Sequence, residues 1–142
     1  MTGADKTVVE EGRFGRVITA RIRPNVDLVE GIEQICTELG IVRAEVRSAI
    51  GSLTDAVLLA GTSKKLVEGA GLEIALASGH VGPDVDGQLR ARLFGLVSDG
   101  DGRPHAGEFA RGENPVFVTL ELVLQEWIPD GPVELILGER HG

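Results

Sequence analysis

The chain has few of the residues that carry many familiar chemistries, since its 142 residues include one cysteine, no tyrosine, one tryptophan and four phenylalanines. The lone cysteine, Cys36, cannot form a disulfide within the chain, which favours a reducing compartment and predicts a cytoplasmic protein. No apolar run approaches the roughly 18 residues of a membrane span, and residues 1–12 lack the apolar stretch of a secretory signal. These absences exclude disulfide-stabilised scaffolds and predict a protein with no membrane partner.

Basic residues are also scarce, because 14 Lys and Arg stand against 22 Asp and Glu, for a formal net charge of -8. That charge opposes indiscriminate binding to the phosphates of nucleic acids. Eleven of the basic residues are Arg, the side chain that binds carboxylates and phosphates in a bidentate fashion. The pattern is compatible with a local anion site and equally with ordinary ion pairs on solvated strands, and the strand arginines concerned are Arg21, Arg23, Arg43, Arg47, Arg90 and Arg92.

Alternating apolar and polar residues dominate the sequence and predict six or seven strands. The alternation begins at residues 18–22, and its longest run covers residues 116–125. One helix interrupts it at residues 28–39, where apolar residues recur every three or four positions between an N-terminal cap at Asp27 and a stop at Gly40. The predicted fold class is therefore α+β, with a mainly antiparallel sheet packed on one main helix.

The chain is long enough for one domain, and 42% apolar residues suffice for a complete core. We expect the domain to span residues 13–137, between a flexible N-terminal segment at 1–12 and a flexible tail at 138–142. Residues 64–71 are predicted to form a loop and residues 79–87 a turn-rich stretch.

Standard catalytic and nucleotide-binding motifs are absent from the sequence, which has no phosphate loop, nucleophile elbow or paired Cys and His metal motif. The acidic, glycine-rich residues 98–102 predict a hairpin turn. His80 is expected at a strand end beside a glycine-rich loop, as an accessible proton carrier or as a surface histidine without a function. Cys36 lies on the apolar helix face and is expected to behave as a small hydrophobic residue.

Four short segments occur in an order and spacing that match a known family: Ser48-Ala49-Ile50-Gly51-Ser52-Leu53, Val97-Ser98-Asp99, Ala106-Gly107 and Thr119-Leu120-Glu121-Leu122-Val123-Leu124. On these segments the chain resembles, from about Phe14 to Trp127, the PPC (plants and prokaryotes conserved) domain. Plants attach this domain to AT-hook DNA-binding proteins, and bacteria carry it alone. The resemblance implies a mainly antiparallel α+β fold and a homotrimer with clefts between its subunits.

The resemblance also implies where a metal site would lie, since many bacterial members hold a metal ion with three histidines. The matching positions here are Arg92, Phe94 and Glu108. Arg92 is a permanent cation and Phe94 has no donor atom, which leaves one ligand where a zinc site needs three. We therefore expect neither a metal ion nor another cofactor.

The resulting hypothesis is an intersubunit pocket that binds a small carboxylate-bearing metabolite through Arg92. Glu108 and His80 would supply a general acid or base, in chemistry of the isomerase, lyase or hydrolase type. The remaining candidates for the lining of this pocket are Arg90, Phe94, Ser48, Ser52 and His105.

Several alternatives stay open at this point. Arg92 and Glu108 also suit a purely structural ion pair, and Ser48 and Ser52 also suit a turn made through Gly51. A DNA-associated role is opposed by the acidic charge and by the lack of an Arg-Gly-Arg-Pro hook. A further alternative is a regulatory or scaffold trimer that binds no ligand of its own.

Overall fold

A computed structural model describes residues 7–133 of the protein. Eight strands and one helix follow in chain order: β1 (Val9–Ile22), α1 (Leu28–Leu39), β2 (Ala44–Leu53), β3 (Ala56–Ala60), β4 (Ser63–Val67), β5 (Leu72–Pro83), β6 (Leu89–Ser98), β7 (Pro104–Phe109) and β8 (Val116–Val133). The predicted flexible tail at 138–142 lies outside the described residues. Within the part of the chain that is described, no helix has the length and apolar character to cross a membrane.

All eight strands belong to one sheet in the order β1-β8-β2-β5-β6-β7-β3-β4, and each pair is antiparallel. The α+β class with a mainly antiparallel sheet is thereby confirmed, but the count of six or seven strands is wrong. The additional strand is β4, which was expected as a loop. It is an edge strand in which only Val67 is buried, so its sequence shows no alternation that burial would impose.

Three expected boundaries also change in the structure. β1 starts at Val9, and residues 9–12, expected in a flexible segment, pair with the end of β8. β2 continues to Leu53, so no turn lies at Gly51; its pairing with β8 shifts register at two irregularities, between Val46 and Ser48 and between Gly51 and Leu53. β5 continues to Pro83, beyond the predicted end of that strand. Glycines inside β2 and β5 look like turn signals, but here they permit close strand contacts.

The helix forms as its sequence predicts. The Asp27 carboxylate accepts a hydrogen bond from the Glu30 N–H at 2.9 Å, which caps the first turn. Gly40 ends the helix with a positive φ of 68°, a conformation that glycine adopts without strain. The apolar side of α1 packs on one face of the sheet, and burial of Cys36 in that core raises the pKa of its thiol to about 11. Cys36 is therefore a protonated core residue at neutral pH.

The opposite face of the sheet is not covered by any described element. Along β6, Ala91 and Leu93 point into the core, while Arg92 and Phe94 alternate with them and face outward. The same alternation places His80 of β5 on this outer face, which we call the open face. Most of the residues singled out by the sequence analysis lie on it.

Candidate functional site

A bidentate ion pair between Arg92 and Glu108, which we call the fork, lies on the open face where β6 pairs with β7. The Arg92 Nε donates to Glu108 Oε2 at 3.0 Å, and Arg92 Nη2 donates to Glu108 Oε1 at 2.7 Å. Phe94, which pairs with Glu108 across β6 and β7, places its ring centre 5.2 Å from the guanidinium carbon. A bidentate ion pair over an aromatic ring holds both charged groups in a fixed plane.

His80 lies beside this fork, directly opposite Arg92 in the β5–β6 register. Its imidazole is exposed. The hydrogen bond from Arg92 is the main cause that lowers the pKa of Glu108, burial opposes this shift, and the charges of Arg92 and His80 add to it. Glu108 is therefore an anion at neutral pH, which makes it a hydrogen-bond acceptor.

The structure does not bring His105 to this site. His105 pairs with Val97 in β7, which places it on the core side of the sheet, opposite to the open face. Its Nε2 lies 2.8 Å from Asp99 Oδ2, and its Nδ1 is buried without a hydrogen-bond partner among the described residues. His105 therefore contacts Asp99 in the turn between β6 and β7, not the Arg92–Glu108 pair.

The other predicted lining residues are dispersed. Ser52 is buried, and its hydroxyl accepts a long bond of 3.4 Å from the Val118 N–H. Ser48 lies on β2 and lines a shallow depression over β8, between β1 and β2. Arg90 lies at the hairpin end of β6, with its Nε 3.8 Å from a carboxylate oxygen of Asp84. The structure therefore gathers Arg92, Glu108, Phe94 and His80, but not these three residues.

The Asp99–His105 contact has a measurable consequence in acid. The hydrogen bond from His105 is the largest cause that lowers the pKa of Asp99 from 3.8 to about 2. A carboxyl group whose pKa is lower in the folded state stabilises the fold above its unfolded pKa, and that contribution disappears as the pH falls through the folded value. We expect Asp99→Asn to be less stable than the parent above pH 4, with the difference vanishing between about pH 4 and pH 2.

Asp84 offers a matched control for this prediction. It opens the β5–β6 hairpin turn and, like Asp99, accepts from backbone N–H groups two and four residues later. Urea unfolding of both Asn variants across this pH range separates the turn contribution from the histidine contact. Equal pH dependence of Asp84→Asn and Asp99→Asn would contradict the role given to His105.

A metal ion does not fit the positions at which the family resemblance implies one. Arg92 brings a fixed positive charge, Phe94 has no donor atom, and both oxygens of Glu108 accept bonds from the guanidinium. Across residues 7–133, moreover, no three His, Cys, Asp or Glu side chains form a group that would hold a metal. The groups that the structure places here are an ion pair, an aromatic ring and an imidazole.

Glu33 in α1 helps to position β6 beside the candidate site, and the sequence analysis missed it. It is buried, accepts from the Ala91 N–H at 2.9 Å, and accepts from Arg111 Nε at 2.8 Å. It thereby ties the helix to the residue that precedes Arg92 in β6. The signal was present, because Glu33 lies four residues after Val29 and three before Cys36 on the apolar helix side.

Comparison with known proteins gives a family and a set of related folds. The family model of the Plants and Prokaryotes Conserved (PCC) domain matches residues 9–128. A solved metal-containing protein from Archaeoglobus fulgidus is 28% identical, with a TM-score of 0.73 over 85% of this chain and 86% of that chain. A plant- and prokaryote-conserved protein from Pyrococcus horikoshii is 23% identical, with a TM-score of 0.71 over 86% and 85%.

A third solved structure is a candidate DNA-binding protein from Bacteroides thetaiotaomicron, 18% identical, with a TM-score of 0.68 over 85% of this chain and 84% of that chain. At their levels of identity, the Pyrococcus and Bacteroides structures support the fold alone. Among curated proteins, no sequence matches this chain.

Proposed function

The chain belongs to the Plants and Prokaryotes Conserved (PCC) domain family, and we propose that it binds a small carboxylate-bearing metabolite at Arg92 without a metal ion. The observation that carries this proposal is the Arg92–Glu108 fork on the open face, with Phe94 and His80 beside it. In place of metal ligands, the site offers a fixed cation for an anionic group, an aromatic surface and an imidazole.

Arg92 has donors left for a ligand. The bonds to Glu108 use Nε and one N–H of Nη2, while a guanidinium has five N–H groups in total. The side chain of Arg92 is 56% exposed, compared with 21% for Glu108. A ligand carboxylate can therefore reach the Nη1–Nη2 edge from solvent, and Glu108 holds the guanidinium plane in position for it.

The chemistry that fits this arrangement is proton transfer on the bound acid. Glu108 is ionised, so His80 is the proton carrier in our proposal, and Arg92 stabilises negative charge that develops on the ligand carboxylate. Such proton transfers belong to reactions of the isomerase, lyase or hydrolase type.

We further propose that the active form is a homotrimer with this site between subunits. The open face exposes apolar side chains that a second copy would cover, since Ile50, Leu76 and Phe94 are 70%, 60% and 42% exposed. Adjacent exposed apolar residues on a sheet face are typical of an interaction surface. Size-exclusion chromatography with light scattering is expected to give three times the mass of one chain.

Binding of a carboxylate is tested by thermal denaturation in the presence of a panel of small mono- and dicarboxylic acids. At least one acid is expected to raise the melting temperature of the parent protein, because a ligand at 100 times its Kd stabilises the folded state by about 2.7 kcal/mol. Arg92→Ala is expected to lose this shift. Arg92→Lys keeps the charge but loses the fork, and is expected to weaken binding about tenfold or more.

Arg21→Ala is the matched control, because Arg21 also lies on a strand and pairs with a carboxylate, Glu121, at 2.9 Å. This variant is expected to keep the shift of the parent. The proposal is wrong if no acid stabilises the parent, or if an acid stabilises the parent and Arg92→Ala equally.

A DNA-associated role is the competing proposal, and its support is the likeness to the Bacteroides protein. The net charge of -8 opposes it. A mobility-shift titration in about 50 mM salt, where electrostatic binding is strongest, distinguishes the two proposals. We expect no shift of duplex DNA at micromolar protein.

A further inference from the structure

A second cavity lies on the open face at the end of β2, and we call it the Trp127 trough. It is open to solvent and has a volume of about 520 Å³, and the lining residues that matter here are Arg43, Glu45, His80, Gly82, Pro83 and Trp127. β2 forms its floor, β8 contributes Trp127 to one wall, and β5 contributes the other wall. Those walls are two strand spacings apart, about 10 Å between backbones, and the Arg43 side chain lies between them on β2.

The indole of Trp127 is held in a fixed orientation. Its Nε1 donates to Glu10 Oε1 at 2.8 Å, and the Phe14 ring packs edge-on with its centre 5.5 Å from the indole centre. The same Glu10 oxygen accepts from Arg43 Nη1 at 2.7 Å. A pre-positioned aromatic wall loses little conformational entropy when a ring stacks on it.

The facing wall is open because β5 has a glycine there. A Cβ built on Gly82 would meet only Arg43 Cγ, at 3.9 Å. The position therefore has room for a side chain but carries none. This space and Trp127 lie on opposite sides of Arg43, whose carbonyl accepts from the Trp127 N–H at 2.9 Å.

Glu45, on the floor of the trough, is an acidic side chain without a basic partner among the described residues. It is half-buried, and it forms no ion pair with any residue between 7 and 133, although the neighbouring Arg43 is paired with Glu10. A partly desolvated carboxylate gains most from charge-assisted hydrogen bonds, and it accepts two parallel N–H donors through its two oxygens. The trough therefore combines a fixed stacking surface with an acceptor that has no charged partner.

We propose that the Trp127 trough binds a planar nitrogen heterocycle that stacks on Trp127 and donates two adjacent N–H groups to Glu45. The amino-oxo-pyrimidine edge shared by guanine and pterins has this chemistry, because its ring N–H and its exocyclic amino group point the same way. His80 borders both this trough and the Arg92 site, but the heterocycle site does not need Arg92.

The test uses the whole chain, with guanosine and pterin as probes. Trp127 is the only tryptophan, so its emission reports stacking in the trough, while calorimetry gives the Kd. Both probes are expected to bind saturably and to change the emission, and inosine, which lacks the exocyclic amino group, is expected to bind at least tenfold more weakly. Binding of only one of the two probes supports the site and identifies its source as a nucleoside or a pterin.

Two pairs of variants complete the test. Glu45→Gln is expected to weaken guanosine or pterin binding at least tenfold, while Glu73→Gln, which removes an exposed charge from β5, leaves it unchanged. Gly82→Val fills the trough and is expected to abolish binding, while Gly100→Val, at a turn position with no atom near a Cβ, does not. Equal affinity for guanosine and inosine, unchanged binding in Glu45→Gln, or the absence of saturable binding overturns the proposal.

Arg92→Ala separates this site from the carboxylate site. The variant is expected to keep heterocycle binding while it loses stabilisation by carboxylic acids. Loss of heterocycle binding in folded Arg92→Ala contradicts a separate trough site.

Discussion

Replacing Gly79 with alanine is expected to lower the free energy of unfolding by about 3 kcal/mol, through overpacking between two backbones. Gly79 lies in β5 against β6, and a Cβ there would lie 1.9 Å from the Arg92 carbonyl oxygen and 2.9 Å from the Leu93 Cα. Both obstacles are backbone atoms, so no side chain can move to relieve the clash. β5 and β6 would have to separate.

The same variant is expected to affect the candidate site, because these two strands carry His80 and Arg92 in directly opposite positions. Urea unfolding measures the loss of stability, and the carboxylic-acid panel measures the loss of binding in whatever fraction remains folded.

Gly82→Ala is the control for this prediction, since it lies three residues further along the same strand with its nearest atom at 3.9 Å. Its stability is expected to stay within about 1 kcal/mol of the parent. Equal stability of the Gly79 and Gly82 variants would show that the strands tolerate the added methyl group, and would contradict the packing described here.

Asn114→Ala is expected to cost about 3 kcal/mol as well, because it leaves several buried backbone groups without partners. Asn114 is fully buried in the loop before β8. Its Oδ1 accepts from the Val57 N–H at 3.0 Å, and its Nδ2 donates to the carbonyls of Ala110 at 2.8 Å and Val57 at 3.3 Å. The amide thus joins β3 to the segment between β7 and β8.

The measurement is chemical denaturation, which compares the unfolding free energy of Asn114→Ala with those of Asn114→Asp and Gln34→Ala. Ionised aspartate keeps the acceptor, loses both donors and leaves a buried charge without a partner, so at neutral pH its unfolding free energy is expected at or below that of the alanine variant. Gln34 is exposed on α1 with one side-chain bond, to Glu38 at 3.2 Å, and its truncation is expected to change stability by at most about 0.5 kcal/mol. Similar losses for Asn114→Ala and Gln34→Ala would contradict a structural role for the buried amide.

Alternation within one strand is a rule that the sequence analysis applied incompletely. Arg92 and Phe94 are two residues apart and share a face, which the structure bears out. His105 and Glu108 are three residues apart on β7, an odd spacing that places them on opposite faces. The separation of His105 from the Arg92 site was therefore readable from spacing once both residues were assigned to one strand.

Elements with a strong local pattern were predicted well. Helix α1 carries its apolar face, its cap at Asp27 and its stop at Gly40 within a few consecutive residues. β4 has no such pattern, because an exposed edge strand requires no alternation. In the sequence, Gly51 and Gly79 are each compatible with a turn or with a close approach between two strands. The position of the neighbouring strand distinguishes the two cases, and the sequence does not show it.

The sequence by itself determined the fold class, the helix, the two strands with the clearest alternation and, through the family motifs, the residues that stand where relatives hold metal ligands. Tertiary structure decided which charged groups meet. Arg92 and Glu108 are 16 residues apart, and Trp127 and Glu10 are 117 residues apart. Local patterns depend on hydrogen bonds and side chains a few residues away, whereas these contacts depend on strand order and register, which arise only when distant segments pack into one sheet.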